Sequence, residues 1–241
     1  MKRLSLLVAL AIATLPLTAS AQTVFGSTAS TNNATNKDSL AFGYKALPSN
    51  ASSTYNMALG HFSLFTNTTG NNNVANGYAS LYKNTTGSYN LATGSYALFS
   101  NTTGSNNVAS GYQTLYTNTT GSNNVASGYL SLFSNTIGNQ NTANGSQALY
   151  WSTTGSDNVA IGFQSLNSNT TGSNNVASGS QSLFKNTIGS WNVASGYQAL
   201  YLNTTGNNHV AIGYQAGYNL TSGNSNIAIS NYGVAGESGA I

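Results

Sequence analysis

Asp38, Asp157 and Glu237 are the only acids in this 241-residue chain, and His61 and His209 are its only histidines. Two neighbouring carboxylates would perform acid–base hydrolysis, and a histidine set beside a serine and an aspartate would activate a nucleophile. Three or more such groups converging would hold zinc. The spacing offers none of these arrangements, because the segments that carry all of them but Glu237, which follows the last copy, are copies of one 17-residue unit. Asp38 and Asp157 fall seven copies apart and the two histidines nine copies apart, at different positions of the unit. A straight stack of copies cannot bring them together, so all five read as ordinary polar residues. A calcium-binding roll would repeat an aspartate after a glycine-rich turn, where this chain repeats Asn and Thr. No catalytic residue, metal or cofactor is expected, and no ligand-binding residue can be singled out.

The elements that position these residues follow from the repeat. Units begin at residues 33, 50, 67, 84, 101, 118, 135, 152, 169, 186, 203 and 220, without insertion or deletion. The clearest copies are the units starting at Asn101 and Asn118. Numbered from that Asn, position 8 is apolar in eleven units of twelve, from Leu40 to Ile227, with Thr142 the exception. Position 9 is Ala throughout, position 11 is Gly from Gly43 to Gly213, and position 15 is Leu from Leu47 to Leu200. Large apolar residues recurring in phase argue against the disorder that so much Asn, Thr, Ser and Gly would otherwise suggest. A fixed period without slippage means stacked coils, each meeting its neighbours at the same height.

Each unit is too short for a helix pair. It divides into a β-prone stretch at positions 7–10, a glycine, a second stretch at positions 12–16 and a polar turn such as Asn-Thr-Thr-Gly-Ser-Asn. This predicts an all-β parallel solenoid of about twelve coils, with two short strands per coil and a length of about 55 Å at ~4.8 Å per rung. Glycine at position 4 is expected to supply positive φ in the turn, and glycine at position 11 the bend between strands.

Parity separates the faces of the first strand. Positions 9 and 11 are small, as a thin interior requires, while positions 8 and 10 point the other way. With Ala and Gly inside, the Val column becomes a long apolar stripe that a neighbouring chain should cover. The competing assignment buries the Val column inside a monomer, and the mostly polar position 10 keeps it open.

The chain starts with Lys2 and Arg3, an apolar run from Leu4 to Leu17 and the small triplet Ala19-Ser20-Ala21, the pattern of a secretory signal peptide over residues 1–21. Residues 22–32 form a lead segment, 33–236 the repeat domain and 237–241 a tail. No other stretch is apolar enough to span a bilayer. Without Lys2 and Arg3, four lysines face three acids, so the formal net charge falls from +3 to +1. Four scattered lysines make no basic footprint for nucleic acid. With no cysteine, neither disulfides nor thiol chemistry can contribute. The repeat breaks down at Gly217 and Ser230 with no evident capping helix, so an open edge is expected there, which points either to a truncated gene product or to a partner.

Two features of the columns suggest recognition. Asn67, Asn84, Asn101, Asn118, Asn169 and Asn203 each head an Asn-X-Ser/Thr acceptor triplet, although Asn and Thr are also simply good turn formers, and that reading is preferred. Aromatics fill position 12 (among them Tyr44, Tyr78, Tyr112 and Tyr197) and position 16 (among them Phe65, Tyr82, Phe99 and Tyr201). Stacked rings stabilise a parallel sheet whatever its function, and a half-exposed stripe of them also suits a glycan or a protein.

The runs Asn158-Val-Ala-Ile-Gly162 and His209-Val-Ala-Ile-Gly213, loosened elsewhere to Asn-Val-Ala-Ser-Gly, resemble the head repeats of YadA-like trimeric autotransporter adhesins. The resemblance spans residues 33 to about 230. It implies left-handed β-rolls assembled as a homotrimer on a bacterial exterior, binding matrix protein, glycan or another cell. Similar repeats occur in fibrous proteins such as phage tail fibres, so the resemblance is specific for architecture more than for target. The chain departs from the adhesin plan in showing neither coiled-coil heptads for a stalk nor barrel strands for an anchor. An exported adhesin head is therefore the expected function, with a structural rod as the alternative. A solenoid that binds ice or another ordered surface comes third, set back by the lack of an evident flat threonine ladder.

Overall fold

A computed structural model describes residues 24–25, 39–50 and 52–239. The signal-peptide segment, Lys37 and Asp38 lie outside the described residues, as do Ala51 and the last two positions. Thirteen short strands form one parallel sheet in strict chain order. The first, β1 (Val24–Phe25), pairs with β2 (Leu40–Phe42) and carries the sheet into the lead segment. From β2 to β13 (Ile227–Ile229) each strand occupies positions 8–10 of one unit. Register is preserved throughout: Val108 lies beside Val125, Ala109 beside Ala126 and Ser110 beside Ser127. The parallel β-solenoid read from the period is the fold, and the described residues contain no helix.

The second strand of each coil does not form. Positions 12–16 are stacked turns, because positions 13 and 15 both adopt the left-handed region, as in Gln113 (φ 51°) and Leu115 (φ 53°). Side chains other than glycine are uncommon there. Here each rung overrides the preference by hydrogen bonding to both neighbours. The amide of Gln113 donates to the Ser95 carbonyl one rung back at 3.0 Å, and that of Leu115 to the Ser131 carbonyl one rung on at 3.1 Å. The reward for Leu115 is burial: all ten position-15 leucines are fully inaccessible and share a core with the position-9 alanines.

That core settles the parity question. Ala109 and Ala126 are buried, while Val125 stays 45 % exposed and Val193 38 % exposed on the other side of the strand. The assignment with the Val column inside is therefore excluded for the single chain: alanine fits an interior where rungs lie one strand spacing apart and opposite walls nearly touch.

The two glycine columns differ from each other. Position 11 has positive φ, such as 136° at Gly111 and 125° at Gly128. Position 4 does not, contrary to the expectation of a positive-φ turn. Glycine is needed there for space: a Cβ on Gly121 would sit 2.5 Å from the Gly138 carbonyl oxygen and collide with Asn118 Oδ1. At the C-terminal end the departures from the repeat act together. Gly217 takes φ 61° and leaves room for Leu220, which is buried over Leu200. The leucine column thus ends on an apolar plug, a cap that the column reading did not foresee.

Candidate ligand-binding surface

Two polar columns that the sequence places in surface turns are inside the coil. The position-1 asparagines from Asn67 to Asn135 and the position-7 asparagines from Asn73 to Asn192 are all buried. In position 1, Asn84 Nδ2 donates to Asn67 Oδ1 at 2.8 Å, Asn101 to Asn84 at 2.7 Å and Asn118 to Asn101 at 2.8 Å. In position 7, Asn107 Oδ1 accepts from the Asn124 backbone amide at 3.0 Å. These ladders satisfy polar groups that would otherwise be costly to bury. They also occupy the nitrogens of Asn84, Asn101 and Asn118 that a glycosyl transfer would need, and the six asparagines named above are inaccessible, whereas Asn144 and Asn219, which also head such triplets, are exposed. For those six the turn-former reading is therefore the structural one, with the asparagines serving the interior.

Where the ladders are interrupted, partners are lost. Ser152 replaces Asn in position 1, and neither its hydroxyl nor Asn135 Oδ1 below it has a hydrogen bond. His209 replaces Asn in position 7 and is fully buried. Its backbone amide donates to Asn192 Oδ1 at 3.0 Å and its Nδ1 accepts from the Asn226 amide at 3.2 Å, which fixes a neutral ring, while Nε2 lacks a well-formed partner. Burial pushes the imidazole pKa down, and the Gly223 backbone offsets part of that shift.

The other groups with acid–base potential remain apart. Asp157 is exposed at a left-handed turn position, His61 is exposed at position 12, and Glu237 lies past β13 with Oε2 accepting from the Val234 amide at 3.1 Å. Strict strand order keeps them on separate rungs. Among the described residues no three metal-ligating side chains gather.

The outer surface consists of ladders. Position 8 forms the apolar stripe, with Met57, Leu91, Val125, Val176, Val193 and Ile227 each 38–45 % exposed. Position 12 adds exposed rings, with Tyr112 stacked on Tyr129 at 5.7 Å and Tyr197 on Tyr214 at 5.5 Å. Position 16 is a half-buried stack from Phe65 to Tyr150, with centroids 4.9–5.3 Å apart. Asn167 breaks it, and it resumes from Phe184 to Tyr218.

A threonine ladder exists after all. Position 3 presents Thr69, Thr86, Thr103, Thr120, Ile137, Thr154, Thr171, Ile188 and Thr205, all exposed. The position-2 threonines beside them turn their hydroxyls to the backbone, as Thr102 Oγ1 does to the Thr119 carbonyl at 3.0 Å. Column reading missed this ladder because position 3 lies in a turn, where strand parity says nothing about direction.

In one place the ladders open. Phe62, Tyr78, Ala79, Tyr82, Tyr96 and Phe99 line a cleft of about 300 Å³. Phe62 meets Tyr78 edge-on at 5.9 Å, and Tyr78 meets Tyr96 at 5.2 Å. Desolvation pushes the Tyr96 hydroxyl above the usual phenol range, and the neighbouring Tyr78 adds to the shift. The signal for this cleft is present in the sequence at position 13, but only once that column is known to face outward. Comparison of the chain with protein-family models, with curated proteins and with solved structures finds no match.

Proposed function

We propose that this protein is a secreted or cell-surface adhesin head that binds an extracellular protein, glycan or cell surface through its repetitive lateral surface, without catalytic turnover. The observation that carries the reading is the pair of outward columns: the apolar position 8 from β2 to β13, a surface for a second copy of the chain, and the exposed rings of position 12, a surface for a ligand. Contiguous apolar surface on this scale marks an interaction site. A homotrimer covers the position-8 stripe and leaves the remaining columns for a ligand, in keeping with the resemblance of the Asn-Val-Ala-Ile-Gly runs to adhesin heads and with the leader-like residues 1–21. A weak contact presented on successive rungs and on three chains gains about a hundredfold or more in avidity. The test removes whole units, first residues 118–134 and then 118–151, and measures adhesion of protein-coated beads to matrix proteins and cells. Adhesion that falls in steps supports the reading, and full-length protein that adheres to nothing reduces the molecule to a structural rod.

The position-3 ladder favours a second reading, binding to ice. Nine exposed β-branched side chains at about one strand spacing form a regular array of methyls and hydroxyls, and Ile137 and Ile188 keep the methyl where the hydroxyl is lost. An ice-recrystallisation assay separates the two readings: arrest of crystal growth that Thr103→Lys abolishes supports ice binding, and unaffected growth removes it.

A further inference from the structure

The aromatic cleft arises where the repeat departs from its own consensus. Position 13 is glutamine at residues 113, 147, 164, 181, 198 and 215. The last five join rung to rung through four hydrogen bonds, the Nε2 of Gln164, Gln181, Gln198 and Gln215 each donating to the Oε1 before it at 2.7–3.2 Å. In the units beginning at residues 50, 67 and 84 the same column reads Phe62, Ala79 and Tyr96. The short Ala79 leaves a gap between two rings, and the stacked pair Tyr82 and Phe99, 5.1 Å apart, backs it.

The walls are the rings of Phe62 and Tyr96 and the edges of Tyr82 and Phe99, whose faces are taken up by the position-16 stack, with phenol hydroxyls on Tyr78, Tyr82 and Tyr96, so they present apolar surface and hydrogen-bonding rims together. That combination suits a six-membered sugar ring, which has a C–H face and a polar edge, and the cleft volume suits one such ring. Charge narrows the class. Lys83 Nζ lies 5.5 Å from the centroid of the Phe99 ring. The described acids, Asp157 and Glu237, lie four or more units away along the solenoid.

We propose that this cleft binds one pyranose ring of an acidic glycan, with Phe62, Tyr82, Tyr96 and Phe99 against the ring, the Tyr78 and Tyr96 hydroxyls on the sugar hydroxyls and Lys83 on the carboxylate. The proposal rests on the adhesin reading and names the class of ligand and the rungs that hold it.

Calorimetry and saturation-transfer NMR on the full-length protein, with a galacturonate tetramer and a neutral galactose tetramer as probes, test it. The uronide is expected to bind the more tightly. Phe62→Gln/Ala79→Gln/Tyr96→Gln rebuilds the glutamine ladder that the chain forms from Gln147 to Gln215, and is expected to weaken uronide binding by about tenfold or more at unchanged circular dichroism. Tyr78→Ser, the residue that position 12 carries at Ser95, Ser146 and Ser180, is the single-site check should the triple variant lose its fold. Lys83→Gln is expected to remove the preference for the acidic sugar. Binding of neither probe, equal binding of both with no effect of Lys83→Gln, or undiminished binding by folded cleft variants overturns the proposal. Bead adhesion distinguishes its failure from that of the broader reading: beads that adhere while the uronide does not bind leave the lateral surface standing and remove the cleft.

Discussion

Asn73 and Asn84, from different columns and different rungs, donate to the same acceptor, the Gly87 carbonyl, each at 2.9 Å. The pair closes each coil against the next, and Asn90 with Asn101 repeats it on the Gly104 carbonyl. The inside of this solenoid is thus half aliphatic and half amide, and its stability should depend on both halves.

Asn124→Ala tests the amide half. It removes one of the two donors to the Gly138 carbonyl, at 2.9 Å, and leaves the other from Asn135, while the Asn141 amide loses its acceptor at 3.0 Å. Stranding that buried amide and emptying the side-chain site is expected to cost roughly 2 kcal/mol in urea denaturation. Thr120→Ala, on the exposed face, should change stability by less than about 0.5 kcal/mol.

Gly121→Ala tests whether position 4 is constrained by space. The added Cβ meets the Gly138 carbonyl oxygen at 2.5 Å, so backbone must shift between two rungs. A loss of about 1–3 kcal/mol is expected. The small gain that alanine brings where a glycine has room should not appear.

His209 makes the last rungs sensitive to acid. Its folded pKa lies below the free imidazole value of 6.5, because burial opposes the charge. A base with a depressed folded pKa contributes fully above pH 6.5, and that contribution is lost as the pH falls through this value towards the folded pKa, since the unfolded chain takes up the proton first. Hydrogen-exchange protection factors at Val210–Ile212 and Ile227–Ile229, corrected for the intrinsic pH dependence of exchange, are expected to fall over that window. His209→Asn, which restores the column residue, should flatten the dependence.

Val125→Asp tests assembly. The sequence leaves this change uninformative, since either parity buries the position in the final particle. With Val125 outward on the single chain, the variant should keep the circular dichroism of the parent and lose its oligomer in sedimentation. A wild-type chain that sediments as a monomer removes the homotrimer.

The 17-residue period alone dictates stacked coils in register, because any slip would break every column at once. The invariant alanine column at position 9 and the apolar position 8 then limit which face of the strand is inside to two choices. Tertiary structure made that choice, since only the closeness of the opposite wall decides that Ala126 fits and Val125 does not. It also decided what strand periodicity cannot encode: the left-handed backbone at Gln113 and Leu115, the burial of Asn73 and Asn84, and the outward run of threonines from Thr69. Each depends on hydrogen bonds to rungs above and below, which one unit read by itself does not contain. The cleft around Ala79 is the sharpest case. Its residues are plain in the sequence, yet a missing side chain becomes a cavity only when Phe62 and Tyr96 stand one rung to either side.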